Sequence, residues 1–215
     1  MASRPVFLPR SANACGVDAK LIEFCWHPGL SRSQKRKSIS ELHGAAIRMG
    51  ACSHPLEISS QSESELGVAL SAFNLAITVE PGLTVSVESV FQSSKCFFSG
   101  GPFQDLLKST AREVKRDERL RNSGRLRCFS FAGREWPLNP TTAFYDWLYI
   151  SALQESELGD RLLDYDGFTD IEFNPSKSLN CQAHAAALFV AMKKAGRIFR
   201  VRDNPDRFLE IVKHS

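Results

Sequence analysis

The spacing of apolar positions changes several times along the chain, and each change marks an element. In "SQKRKSISELHGAAIRMG" (33–50), Ile39, Leu42, Ala46 and Ile47 recur at helical spacing, predicting a helix that Gly50 closes. "PLEIS" (55–59) reads as a short strand. Residues 70–79 alternate and predict a strand, "PG" at 81–82 a turn, and "LTVSV" (83–87) its hairpin partner. "VESVFQSSKCFF" then opens a helix that "GGP" (100–102) breaks. A second helix is predicted from Phe103 to about Leu120, ended by "NSG" (122–124), and a strand over 125–133 follows.

In "REWPLNPTTAFYDWLYISAL", Asn139 as cap and Pro140 at the first helical position start a helix reaching Leu153. It is apolar on most sides, which predicts a central, buried element whose Trp and Tyr residues belong to the core. Residues 156–180 read as a short helix and a long irregular segment carrying acids at 164, 166, 170 and 172. Asn180 caps an Ala-rich helix closed by two lysines and Gly196, and "NPDRFLEIV" (204–212) forms a last short helix. Residues 1–20 read as an N-terminal arm, extended over 1–15, and 21–215 as one helix-rich α+β domain with a small β-sheet.

Length and composition change this picture little. The 215 residues fit one domain, and no apolar run is long enough to span a bilayer. The start "MASRPVFLPRSANACG" lacks the hydrophobic segment of a secretory signal. The six cysteines form no C-x-x-C pair and none has a histidine at zinc-finger spacing. They read as free thiols in a reducing cytoplasm, with no metal site and no cofactor expected. His43 and His184 lie in predicted helices without a metal-ligand partner and read as packing or surface residues.

Charge adds more through its distribution than through its mild net value of +3. "SRSQKRKS" (31–38) is basic, and Lys108, Arg112, Lys115 and Arg119 recur on one stripe of the predicted 103–120 helix. Such stripes are either solvated helix faces or surfaces that follow a phosphate backbone.

Phosphate-loop, dinucleotide, zinc-protease and nucleophile-elbow motifs are absent. What remains is "VESVFQSSK" (87–95), where Glu88, Gln92 and Lys95 stand four and three apart. On a helix they share one stripe, beside the inward-facing Val87, Phe91 and Phe98. One reading is an ordinary surface pairing. The other is a partly desolvated carboxyl and amine at the edge of a pocket, with pKa values open to tuning.

These residues carry a resemblance. "VESVFQSSKCF" resembles the E-h-y-y-Q-a-q-K segment of the NADAR superfamily, also called YbiA-like. "LSAFN" (70–74) resembles that family's F-S-N-F segment, with Ala72 where Asn is usual. "DGFTD…SLNCQAHAAALFVAM" (166–192) resembles its closing segment loosely: Asn180 matches, while the tryptophan and glycines do not. The branch of antitoxins associated with the DNA-modifying toxin DarT is closer, through "SQKRKSISELH", "LGVALSAFNL", "KRDERLRNSG", "EWPLNPTTAFYDWLYI" and "YDGFTDIEFNPSKSLNCQA".

The resemblance implies a single YbiA-like domain and an N-glycosidase that removes ADP-ribose from guanine in DNA. The implied partners are ADP-ribosylated DNA, ADP-ribose as product and a cognate DarT-type toxin. It implies Glu88 and Lys95 as catalytic residues. Glu88 would stabilise charge on the ribose or shuttle a proton. Lys95 would act either as an amine nucleophile or as a cation that binds ribose or diphosphate, since an ionised Glu88 nearby raises its pKa while burial lowers it. Gln92 would orient a hydroxyl. Phe73, Asn74, Asp166, Asp170 and Asn180 complete the expected substrate site, the helix start at Asn180 suiting a diphosphate. Arg112, Lys115 and Arg119 would contact DNA. Two other readings stay open: an N-glycosidase acting on a small ribosylated metabolite such as a riboflavin-pathway intermediate, and a protein that blocks a toxin without catalysis.

Overall fold

Strand β1 (Ala2–Pro9) pairs antiparallel along its length with β2 (Val17–Phe24), from Ala2 opposite Phe24 to Pro9 opposite Val17. The computed structural model describes residues 1–10, 15–176 and 178–213. Within the stretch 1–20, expected as an arm, residues 2–9 and 17–20 are strand and built into the sheet. Its Val6 is fully buried and its Phe7 nearly so, which an unattached arm would leave in water. Helix α1 (Arg32–Arg48) starts where the Ser31 hydroxyl accepts from Gln34 N at 3.3 Å. Its Ile39, Leu42, Ala45 and Ala46 share a small core with Val6, Ile22 and Phe24 of the hairpin.

Strand β3 (Pro55–Glu57) runs parallel to a strand that sequence periodicity does not reveal, Gly167–Thr169. That strand, β9 in chain order, lies inside the segment expected to be irregular. It is three residues long and buried throughout, too short to display a period. It also meets β1, Phe168 opposite Phe7, giving the order β2-β1-β9-β3.

After α2 (Glu65–Ala69) the strand expected at 70–79 begins only at Ala76. Residues 70–75 form turns closed by bonds to Ser71 O, and their apolar side chains Leu70, Ala72 and Leu75 fill the main core. β4 (Ala76–Glu80) and β5 (Leu83–Ser86) form the expected hairpin. α3 (Val87–Ser93) follows, then β6 (Lys95–Phe97), β7 (Leu126–Phe131) and β8 (Arg134–Trp136), which make a three-stranded antiparallel sheet.

Between β6 and β7 the single helix expected over 103–120 is three pieces: a 3-10 turn at Gln104–Lys108, α4 (Ala111–Arg116) and α5 (Arg119–Asn122). Polar side chains divide them. Thr110 and Glu113 form a reciprocal capping box that restarts the helix, and the Asp117 carboxylate takes Arg119 N at 2.9 Å. The expected continuous basic stripe is therefore divided between elements.

α6 (Ala143–Glu155) is buried from Ala143 to Leu153, as the sequence predicts. It begins three residues after Pro140, beyond a cis Asn139–Pro140 bond, so that pair is not its cap and first residue. Trp147 Nε1 donates to Val201 O at 2.8 Å and the Tyr149 hydroxyl to Leu70 O at 2.7 Å, which satisfies two polar tips inside the core. α7 (Gln182–Lys194) packs on α6 and α8 (Pro205–Lys213) closes the chain. Its cap residue is Cys181, not Asn180, and Gly196 ends it at φ +62°.

His184 of α7 lies 3.3 Å from the buried Asp146 of α6. Burial depresses its pKa, but the Asp146 charge and hydrogen bond outweigh this, and the net shift is upward. A raised histidine pKa stabilises the fold fully below the ordinary value of 6.5 and loses that contribution as pH rises through the folded value. The stability gap between wild type and Asp146→Asn, measured by urea melts, is thus expected to be about 1 kcal/mol near pH 6 and to shrink towards pH 9. A gap that stays constant over that range would remove the charge from this explanation.

Candidate active site

The chemistry-bearing segment begins at a cap. Ser86 Oγ accepts from Ser89 N at 3.2 Å and starts α3. Val87, Val90 and Phe91 face the core, where the Phe91 ring meets Phe129 and Tyr145 at centroid distances of 5.2 and 5.0 Å. Glu88 and Gln92 share the next stripe, one turn apart, and Gln92 Nε2 donates to Glu88 Oε1 at 3.0 Å. Gln92 therefore orients the carboxylate in this structure. Glu88 is only 7% exposed.

Lys95 is not on that helix. The hydroxyls of Ser93 and Ser94 both donate to Val90 O, at 3.0 and 2.7 Å, and α3 ends there. Lys95 opens β6 opposite Phe129. Its Nζ sits 5.0 Å from the centroid of the Phe91 ring. Behind it, Gly101 at φ +84° approaches so closely that a Cβ would lie 2.2 Å from the Lys95 carbonyl oxygen. Phe98, expected to point inward, is 69% exposed, because α3 ends at Ser93 and Phe98 falls in the turn after β6 rather than on that helix.

The strand nonetheless returns Lys95 to the same place. Glu88, Gln92 and Lys95 line one cleft of about 1390 Å³. Burial lowers the Lys95 pKa; Glu88 opposes this and Lys115 adds to it. The conflict between carboxyl and amine seen in the sequence is thus resolved towards a more readily deprotonated amine.

Phe73, Asn74, Asp170 and Asn180 line the same cleft. Asn74 Nδ2 also closes its own turn onto Val68 O at 2.8 Å. Asp170 accepts from Gln182 Nε2 and Glu172 N, each at 3.0 Å. The Asn180 Oδ1 is buried without a hydrogen-bond partner among the described residues. Asp166 is elsewhere: its carboxylate holds Ser53 N and His54 N at 2.8 and 2.7 Å and ties that loop to β9.

Of the basic residues, Arg112 and Lys115 line the cleft and Arg119 does not. Lys115 Nζ is 3.9 Å from Glu88 Oε1 and 5.0 Å from the Phe73 centroid. Arg119 is held by Asp105 and Asp117 at 2.7 and 2.9 Å, so its charge is spent within the protein.

Three residues join the site that sequence reasoning passed over. Gln182, in the first turn of α7, accepts from Ala72 N at 2.7 Å and donates to Ile58 O at 2.6 Å as well as to Asp170. It pins three loops of the cleft at one point. Tyr145 and Phe129 contribute ring surface. Burial, with Glu88 nearby, pushes the Tyr145 phenol well above its ordinary value, keeping it a proton donor. No local pattern separates Tyr145 from its core neighbours Trp147 and Tyr149.

Behind Asp170 lies Glu57, buried and hydrogen-bonded by the Ser59 and Thr169 hydroxyls at 2.6 Å and by Ile171 N at 2.9 Å. Burial raises both carboxyls; the Glu57 charge raises Asp170 further, while the hydrogen bonds to Glu57 work against its own rise. The Thr169 hydroxyl also meets His43 Nε2 at 2.8 Å, and burial lowers that imidazole to about 4. His43 is thus a neutral packing residue at neutral pH.

Among the described residues, no group of three or more His, Cys, Asp or Glu side chains is arranged to hold a metal ion, and no helix is long and apolar enough to cross a membrane. Against known proteins, the model of the DarT1-associated NADAR antitoxin family matches residues 2–215. No curated protein matches the chain.

Proposed function

The chain belongs to the family of DarT1-associated NADAR antitoxins, and from that premise we propose that it is a DNA ADP-ribosyl glycohydrolase. Its reaction is hydrolysis of the bond between ribose C1 and the exocyclic nitrogen of an ADP-ribosylated guanine, releasing ADP-ribose and the intact base. The toxin it opposes is of the DarT type. The observation that carries this reading is that Glu88 and Lys95 line one cleft, with burial lowering the amine's pKa.

The proton bookkeeping closes with these two groups. Neutral Lys95 attacks C1 as the bond from C1 to the guanine nitrogen breaks. Glu88 takes a proton from the new carbon–nitrogen ammonium and gives it to the leaving amine. Water then attacks C1; Glu88 takes its proton and returns it to Lys95 as the lysine departs. The net change is one water consumed and a hydroxyl left on C1. Gln92 holds the carboxylate, and the Tyr145 phenol offers a proton donor to the sugar.

A cleft of about 1390 Å³ exceeds the roughly 300–1,000 Å³ usual for one small ligand, which suits a sugar carrying two large arms. A guanine must leave its stack to enter, and Arg112 and Lys115 at the rim suit the phosphates beside it.

Incubation with guanine-ADP-ribosylated single-stranded DNA is expected to yield free ADP-ribose and unmodified guanine by mass spectrometry. Absence of both products, with the substrate intact, overturns the proposal. Arg112→Glu with Lys115→Glu is expected to reduce this activity at least tenfold, as lost phosphate contacts require. Indifference to both changes would favour a small metabolite as substrate.

A further inference from the structure

The proposed substrate forks at C1: guanine and its strand on one side, ribose, diphosphate and adenosine on the other. The reacting pair lies on the wall made by α3 and β6, and α4 with Arg112 and Lys115 flanks that wall. Beyond Arg112 and Lys115, exposed Lys108 and Arg116 extend the charge of the α4 segment outside the cleft, as a continuing phosphate chain requires.

The other flank is built by α1, the loop after β3 and the loop before α7. Its charge is local. Lys35 is neutralised by Glu172, and Arg36 is turned onto Ser62 O at 3.3 Å. Arg32 has no carboxylate partner among the described residues. One arm of its guanidinium is fixed by Ser60 O at 3.0 Å, and the residue lines the cleft. A guanidinium held this way is pre-oriented for a phosphate fork. Nearby negative charge is small: Glu172 is paired, and burial against Glu57 holds the Asp170 pKa up. The Asn180 Oδ1, buried and without a hydrogen-bond partner among the described residues, belongs to this wall and is an acceptor for a donor such as a ribose hydroxyl or an adenine amine.

We propose that the α1 flank is the diphosphate–adenosine subsite, with Arg32 binding the diphosphate and Asn180 accepting a hydrogen bond from the nucleoside. This assignment rests on the glycohydrolase reading. It leaves the α4 flank to the DNA strand.

Titration calorimetry with ADP-ribose, AMP and unmodified single-stranded DNA tests it. Arg32→Ala is expected to weaken ADP-ribose and AMP by roughly 10- to 100-fold, the worth of a charge-assisted pair, and to leave DNA affinity unchanged. Arg112→Glu is expected to do the reverse. Arg32 is exposed at a helix start, so the variant keeps the wild-type melting temperature. Unchanged ADP-ribose affinity in Arg32→Ala, or an equal loss of DNA affinity, overturns the assignment and leaves the glycohydrolase reading standing. Failure of the wild type itself to bind ADP-ribose overturns both.

Discussion

Lys95→Met is expected to lower turnover of guanine-ADP-ribosylated DNA by roughly 1,000- to 10,000-fold while ADP-ribose affinity changes less than about threefold. Methionine keeps the length that packs on Phe91 and removes the amine, so a loss confined to kcat assigns Lys95 to chemistry rather than to binding. If Lys95 served only as a cation for the diphosphate, KM would rise and kcat would hold. Acidity gives a second readout. On the proposed mechanism the amine must be neutral to attack, so activity is expected to rise with pH through the Lys95 pKa, which burial places below the ordinary 10.5. Lys115 is a like charge that lowers it further. Lys115→Met is thus expected to move the rising limb to higher pH, whatever it does to DNA affinity. A limb that stays in place would show that the titrating group is not Lys95.

Much of the fold follows from local signals, and the differences have local causes. The burial of α6 and the Gly196 stop of α7 are written in side chains within a turn of each feature. Strand β9 is not, because three buried residues carry no period, and neither is β1, whose burial depends on a partner that comes later in the chain. The stripe of Glu88, Gln92 and Lys95 shows both sides. Glu88, Gln92 and Lys95 do meet, although a single helix is the wrong reason: two serines end α3, and a strand pairing carries Lys95 back to the cleft. Spacing alone could not tell Arg112 and Lys115, which line the cleft, from Arg119, whose two carboxylate partners lie two and fourteen residues away. Gln182 was hidden for a related reason, since its three partners come from three separate loops.

Glu88→Gln separates proton transfer from every other role the carboxyl has. Glutamine keeps the shape and can still meet Gln92, so folding and ADP-ribose affinity are expected to stay near wild type. It cannot relay a proton, and kcat is expected to fall roughly 100- to 10,000-fold. The pH profile distinguishes this from a general loosening of the site. Glu88 raises the Lys95 pKa, and neutralising it lets burial lower that value further. The rising limb should therefore move to lower pH in Glu88→Gln, opposite to its movement in Lys115→Met, while the plateau collapses in Glu88→Gln alone. A variant that keeps more than about a tenth of wild-type turnover would take the proton relay away from this residue. A limb that does not move would mean that the carboxyl and the amine do not feel one another across the cleft, and the chemistry assigned to the pair would have no physical basis.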